Sequence, residues 1–354
     1  MPRLQWLPRA GGAARLLLPL RRLPGRPAGP LAEGGRVTPS LAPFRTAPVA
    51  RQKVWAGGRL STLGFGAGLP PSTGELWLVS DLAVAPSPIA SGPHAGADLR
   101  QLVAAQPEAL LGECFAGPDE AASFPLLVKI LDIGAPLSVQ VHPDACVARA
   151  LGDGDRGKCE AWLVLERAPG GAALVGLRAG VSPDAVPSLA AAGTLADALE
   201  RLEPEPGEGI EIAPGTLHTA EGLVVLEVQE PSDVTYRVYD YGRRRGPLHL
   251  AQAARCLEQA PAPPARTGAW APGARELAPR APFSFRAVEL RAGESLSPPE
   301  GAVPRVLVVL SGRVAVGPLE LGPGEVAVLP ATWRGADDGQ ARVNSRLGHA
   351  FPRA

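Results

Sequence analysis

Three features predict that this 354-residue chain is mainly β, built as two β-domains with a small helical insertion. Short alternating or apolar runs recur from about Val37 onward. They are punctuated by 42 glycines and 40 prolines. Helical periodicity is confined to a few brief stretches, so strands carry most of the core.

Residues 1–36 are set apart. Arg3, Arg9, Arg15, Arg21, Arg22, Arg26 and Arg36 are opposed by Glu33 alone, around an apolar run from Leu16 to Leu20. An arginine-rich, acid-poor leader can be an organellar targeting segment, but this one lacks serine, and its apolar run is too short and proline-flanked for a secretory signal. It reads as a disordered extension, or as a start codon chosen upstream in a GC-rich gene.

The first β-domain is predicted over 37–260. Its strands are FPLLVKIL (124–131), LSVQVH (137–142), EAWLVLE (160–166), GIEIAPG (209–215) and GLVVLEVQ (222–229). Two helices interrupt them at about 182–203. Ser-Pro-Asp opens the first, Ser182 to Ala192, and Thr194 is the predicted N-cap of the second, which reaches Leu202 with Leu195, Leu199 and Leu202 as its apolar stripe. A third helix is predicted from His249 through Ala260. A Pro/Ala/Gly-rich linker follows over 261–282, and then a smaller β-domain over 283–354 with FSFRAVELRAG, PRVLVVLSGRVAVGPLEL and GEVAVLPATW. An internal echo pairs GEGIEIAPGTLH (207–218) with GEVAVLPATWR (324–334). It sets His218 against Arg334, so the second copy would keep the fold and lack the ligand.

Composition narrows the function. Net charge is zero and no basic block lies outside the N-terminus, which leaves nucleic-acid binding by phosphate neutralisation little to work with. No apolar run approaches the roughly 18 residues of a membrane span. Cys114, Cys146, Cys159 and Cys256 show no CxxC spacing and read as reduced thiols of a cytoplasmic protein. Lys53, Lys129 and Lys158 are the three lysines among 35 basic residues, so each retained lysine points to a specific role.

The stretch LSVQVHP puts Ser138, Gln140 and His142 on one strand face, a polar stripe that needs partners. RGKCEAW places Lys158, Glu160 and Trp162 on one face, and GTLHT brings His218 beside Thr216. Zinc takes imidazole nitrogen and carboxylate oxygen, and catalytic sites commonly keep three protein ligands and an open position. His142, Glu160 and His218 fit that need, with Gln140 as a neutral fourth. His249, at a predicted helix start, reads as a cap or surface residue. In LEVQEPSDVTYRVYDYGRR (226–244), Glu227 and Gln229 share one face and Thr235, Arg237 and Tyr239 another. A buried Arg237 would suit an anionic intermediate or a phosphate. Lys129, inside an apolar strand, reaches either an anion or the surface.

These residues, with VWAGGRL (54–60), GELWLVSD (74–81), PLLVKILD, PLSVQVHP, GKCEAW, APGTLHT and EVQEPSDVTYRVYD, make the chain from about Val37 resemble the type I mannose-6-phosphate isomerases, zinc-dependent cupin enzymes, in their short bacterial branch. The resemblance implies cupin (jelly-roll-like) barrels, the second without metal ligands, and one zinc per chain on Gln140, His142, Glu160 and His218. It implies Arg237 as the catalytic arginine, Ser138 and Lys129 as phosphate contacts, and Lys158 and Glu227 near the reacting carbons. The implied reaction interconverts mannose 6-phosphate and fructose 6-phosphate through a cis-enediol, with Glu227, Lys158 or a zinc-bound water as base. The partner is a small sugar phosphate, and oligomeric state is left open. A non-catalytic sugar-phosphate-binding cupin, acting as sensor or scaffold, and iron-dependent oxygenation are the alternatives. Departures from the family pattern are Trp55-Ala56-Gly57-Gly58, Leu76, Thr219 and a segment between His218 and Arg237 one residue shorter than common. None removes a ligand.

Overall fold

A computed structural model describes residues 40–66, 68–116, 122–243, 246–259 and 263–353; the expectation for residues 1–36 lies outside them. The site is carried by a ten-stranded sheet whose spine is four strands, Thr73–Val79, Leu127–Ile133, His218–Gln229 and Glu160–Leu177. Neighbours along this spine are antiparallel. Leu127–Ile133 is buried at every position because it is paired on both edges and covered on both faces.

Register places the chemistry. Trp77 lies opposite Lys129, Lys129 opposite Glu227, and Glu227 opposite Trp162, one row across four strands. A second row joins Arg237, Gln140 and His218, since Tyr236–Tyr239 pairs with Val139–Val141, which in turn meets the His218 strand. Directly opposed residues share a face, so these rows bring distant sequence segments together.

The other face of the sheet supplies Leu76, Leu78, Val128, Ile130, Leu163 and Leu226 to a core shared with Phe283, Phe285, Val306, Val308 and Val328 of the C-terminal β-region. That region has a six-stranded sheet and a smaller four-stranded one. Phe44–Arg45, assigned by sequence to the first β-region, pairs instead with Ala327–Val328 of the second. Both copies of the predicted echo contain a strand, Gly209–Ile212 and Val326–Leu329. Among the described residues no helix is long and apolar enough to cross a membrane.

Of three local expectations one holds and two are corrected. Ser182 does cap a 3-10 turn at Pro183–Ala185 that leads into the helix Val186–Ala192. The second predicted helix is instead a 3-10 turn at Ala196–Ala198 followed by a strand, Leu199–Leu202, paired with the far end of Glu160–Leu177. Its leucines are buried as expected, but alternate pairing on an exposed strand edge outweighed helix propensity. The predicted linker holds two strands: Ala265–Thr267 pairs with Gly209–Glu211 and Gly273–Glu276 with Arg286–Glu289. Glu276 also accepts the backbone N–H groups of Ala278 and Phe285, contacts that composition hides.

Helices at Leu99–Ala105 and Ala145–Leu151 were not predicted, although Asp98 with Gln101 forms a capping box and Asp144 caps the second. The helix after His249 spans Leu250–Leu257.

The Trp55–Arg59 loop is pinned to the sheet by one buried carboxylate. Asp132 is fully buried and accepts from the Arg59 backbone N–H and from its guanidinium at 2.7 and 2.8 Å. Removing one partner of a buried pair strands the other, so Asp132→Ala is expected to cost about 3 kcal/mol. Urea denaturation monitored by tryptophan fluorescence checks this; an unchanged midpoint contradicts it.

Candidate metal centre

Three side chains from three separate strands meet at the cavity floor. His142 follows Val139–Val141, Glu160 begins the Glu160–Leu177 strand, and His218 begins His218–Gln229. Glu160 Oε2 lies 3.3 Å from His142 Nε2, and Oε1 lies 3.2 Å from His218 Nε2. Ligand atoms at zinc distances of 2.0–2.1 Å in a tetrahedron stand about 3.3 Å apart. Each imidazole thus stands at that spacing from one of the two Glu160 oxygens, and one ligand atom from each of the three residues lies within 4.8 Å of the others. Gln140 Nε2 is 3.1 Å from His218 Nε2; a half-turn of the amide would put its oxygen there instead.

Both imidazoles are aimed by carbonyls, which can only accept. His142 Nδ1 donates to Val234 O at 3.0 Å and His218 Nδ1 to Thr216 O at 2.9 Å, so each ring directs Nε2 inward. Burial, followed by the charge of Lys158, pushes the His142 imidazole down to about 3, leaving it neutral and able to ligate.

Glu160 is completely buried, and its two oxygens receive no well-directed hydrogen bond. Lys158 Nζ stands 3.0 Å from Oε2 as an ion pair and 3.0 Å from His142 Nε2. Burial would raise the Glu160 carboxyl, but Lys158 and then the two histidines outweigh it and hold it well below the usual range. A buried carboxylate with unclaimed lone pairs, between two inward-facing imidazoles and already attracting one cation, fits a divalent metal.

Above this floor opens a cavity of about 250 Å³, lined by Ser138, Gln140, Lys158, Glu227 and Arg237, and by Lys53, Trp55, Glu75 and Lys129. Glu227 Oε2 accepts from Trp162 Nε1 at 2.9 Å and Oε1 pairs with Lys129 at 3.3 Å. Burial and then the Glu160 charge push the Glu227 carboxyl above the usual range. Burial lowers Lys129, but Glu227 and Glu75 outweigh it and hold the ammonium charged. Trp162 packs edge-on against His218 and so positions both a ring and a carboxylate.

All nine residues assigned to the site from sequence thus fall at one place. His249 lies outside the cluster: its Nδ1 accepts the Arg237 backbone N–H at 3.0 Å, fixing the strand that carries Arg237. Sequence reasoning missed Gln229, whose amide oxygen accepts from Lys129 at 2.8 Å and whose nitrogen grips Glu230 O and Ser232 O, shaping the turn that presents Val234 O. It also left Lys53 and Glu75 unassigned, though the scarcity of lysine had marked Lys53. Among the described residues, His142, Glu160 and His218 form the group placed to hold a metal ion.

A cupin-fold protein with a His-Glu-His group placed to hold a metal ion, beneath a cation-rich cavity, is the class that fold and site define. Residues 44–159 match the model of the phosphomannose isomerase type I catalytic domain. The Bacillus subtilis protein named "Probable mannose-6-phosphate isomerase GmuF" is 37% identical over 218 residues, 60% of this chain and 67% of that protein. The mannose-6-phosphate isomerase of Streptococcus mutans is 35% identical over 209 residues, 57% of this chain and 63% of its own. A solved mannose 6-phosphate isomerase from Bacillus subtilis superimposes with a TM-score of 0.74 at 27% identity, over 88% of this chain and 99% of its own. The chain belongs to the type I phosphomannose isomerases.

Proposed function

We propose that the chain interconverts mannose 6-phosphate and fructose 6-phosphate by proton transfer through a cis-enediol. The observation that carries this is the convergence of His142, Glu160 and His218, one ligand atom from each within 4.8 Å of the others, beneath a cavity holding Glu227, Lys158 and Arg237. A zinc ion held by these three residues and Gln140, one per chain, would supply Lewis-acid polarisation of the substrate oxygens. A zinc-bound mannose 6-phosphate isomerase shares the fold at 17% identity, with a TM-score of 0.69 over 89% of this chain and all of the other.

Glu227 removes the proton from C2 of open-chain mannose 6-phosphate and O1 takes up a proton, giving the cis-enediol; O2 then loses its hydroxyl proton as Glu227 returns a proton to C1, giving fructose 6-phosphate. Trp162 Nε1 holds one carboxylate oxygen, so the proton acceptor keeps its orientation. Lys158 and Arg237 offset negative charge on the enediol oxygens. Lys129 and Ser138 contact the phosphate. The cavity's four cations, Lys53, Lys129, Lys158 and Arg237, formally cancel its carboxylates Glu75, Glu227 and Asp233 together with Glu160, so a divalent ion leaves positive charge to meet a phosphate dianion.

The whole site is assigned to residues 37–260, with 283–354 as a cupin-like packing domain. The four cysteines are unpaired, which supports work in the reducing cytoplasm.

Turnover in D2O tests the route. Fructose 6-phosphate is expected to carry solvent deuterium at C1 by NMR, since a proton on a carboxylate exchanges with solvent. Product without any solvent label would indicate hydride transfer, and binding without product would favour the sensor reading.

A further inference from the structure

All three lysines of the chain line this one cavity, although arginine supplies every other one of the 35 basic residues. Two are already engaged at depth. Lys158 stands against the ligand atoms, and Lys129 is held by Gln229 and Glu227 and lies over the Trp77 ring. Lys53 is different: it is about one-third exposed, and its ammonium pairs at 3.0 Å with Glu75. Glu75 in turn accepts from Trp77 Nε1 at 2.8 Å, next to Lys129. The three ammonium groups therefore run from the metal floor outward, with Lys53 at the mouth.

The path of Lys53 is built into the backbone. Gly74 lies beneath its stem, and a Cβ there would come within 2.6 Å of Lys53 Cβ and 2.9 Å of the Trp55 ring. The residue at 74 must lack a side chain for the lysine to lie along the cavity wall. The Lys53 backbone N–H is fixed to Ser72 O at 2.8 Å, so the stem leaves the wall in a set direction.

We propose that Lys53 is a substrate-binding residue that selects for the phosphate dianion. This rests on the reading of the cavity as the substrate site, with the reacting carbons at the metal floor. The phosphate, at the other end of the sugar, then lies toward the mouth. Lys53 leaves Glu75 and pairs with the incoming dianion, a compact point charge exchanging one anion for a stronger one.

Kinetics on the zinc-loaded enzyme test this, with inorganic phosphate as competitive inhibitor. Lys53→Met is expected to raise KM for mannose 6-phosphate and Ki for phosphate about tenfold each, with kcat within about twofold; Lys53→Arg keeps most of the affinity. The double variant Lys53→Met with Glu75→Gln removes the unpaired carboxylate. If Lys53 binds phosphate, KM stays raised in the double variant. Restoration to the wild-type value shows that Lys53 only neutralises Glu75 and overturns the proposal, as does an unchanged Ki in Lys53→Met. If phosphate does not compete with substrate on the wild type, the cavity reading itself fails.

Discussion

Replacing His142 by alanine is expected to abolish turnover, by about a thousandfold or more, and to empty the metal centre. The residue supplies one of three convergent donor atoms, and its neutral Nε2 is aimed by the Val234 carbonyl. Without it, Glu160 and His218 offer two protein ligands and the weaker amide of Gln140, too few to hold zinc tightly. Loss of Lewis-acid stabilisation worth several kcal/mol corresponds to a thousandfold or more in rate. Metal analysis after dialysis should find about one zinc per wild-type chain and little in the variant. Zinc should raise the melting temperature of the wild type and leave the variant unmoved, because only the intact site binds metal in the folded state. Full activity in metal-free wild-type protein would falsify the assignment.

The centre was legible in the sequence because each of its members sits in a short run with a clear period. Alternation in LSVQVHP fixed which residues share a face with His142, and the same rule joined Lys158 to Glu160. What periodicity could not supply was the cross-strand register. Gln140 meets both Arg237 and His218, across 97 and 78 residues of chain, through pairing that depends on the whole sheet. The Leu195–Leu202 segment shows the opposite failure, because its leucine spacing suits a helix, but a free edge of the long Glu160–Leu177 strand was available to it. Phe44 and the strands within 263–282 were misplaced for a similar reason: their partners lie in distant segments, and Gly/Pro content conceals short edge strands. Lys53 and Glu75 lacked an assigned role since nothing local to either reveals that they face one cavity with Lys129 and Lys158.

Glu227→Gln is the substitution that separates the base from the electrostatic groups. It is nearly isosteric and can keep the Trp162 Nε1 contact through its amide oxygen, but it cannot accept the C2 proton, so kcat is expected to fall about 10²- to 10⁴-fold. The pH dependence gives the second signature. Burial first, and then Glu160, raise the Glu227 carboxyl, so it takes up a proton at a higher pH than an ordinary glutamate, whose value is about 4.3. A base must be ionised to work, so turnover falls as pH drops through the titration of Glu227, which gives the profile an acid limb. For stability the sign is opposite: the folded state binds this proton more readily than the unfolded chain, so this group's contribution is full below the unfolded value and is lost as pH rises through the raised folded value. Residual activity of Glu227→Gln should lack the acid limb. Lys158→Met, which removes a charge 3.0 Å from Glu160 without removing the base, should slow turnover yet keep that limb. An acid limb preserved in Glu227→Gln and absent from Lys158→Met would move the base to Lys158.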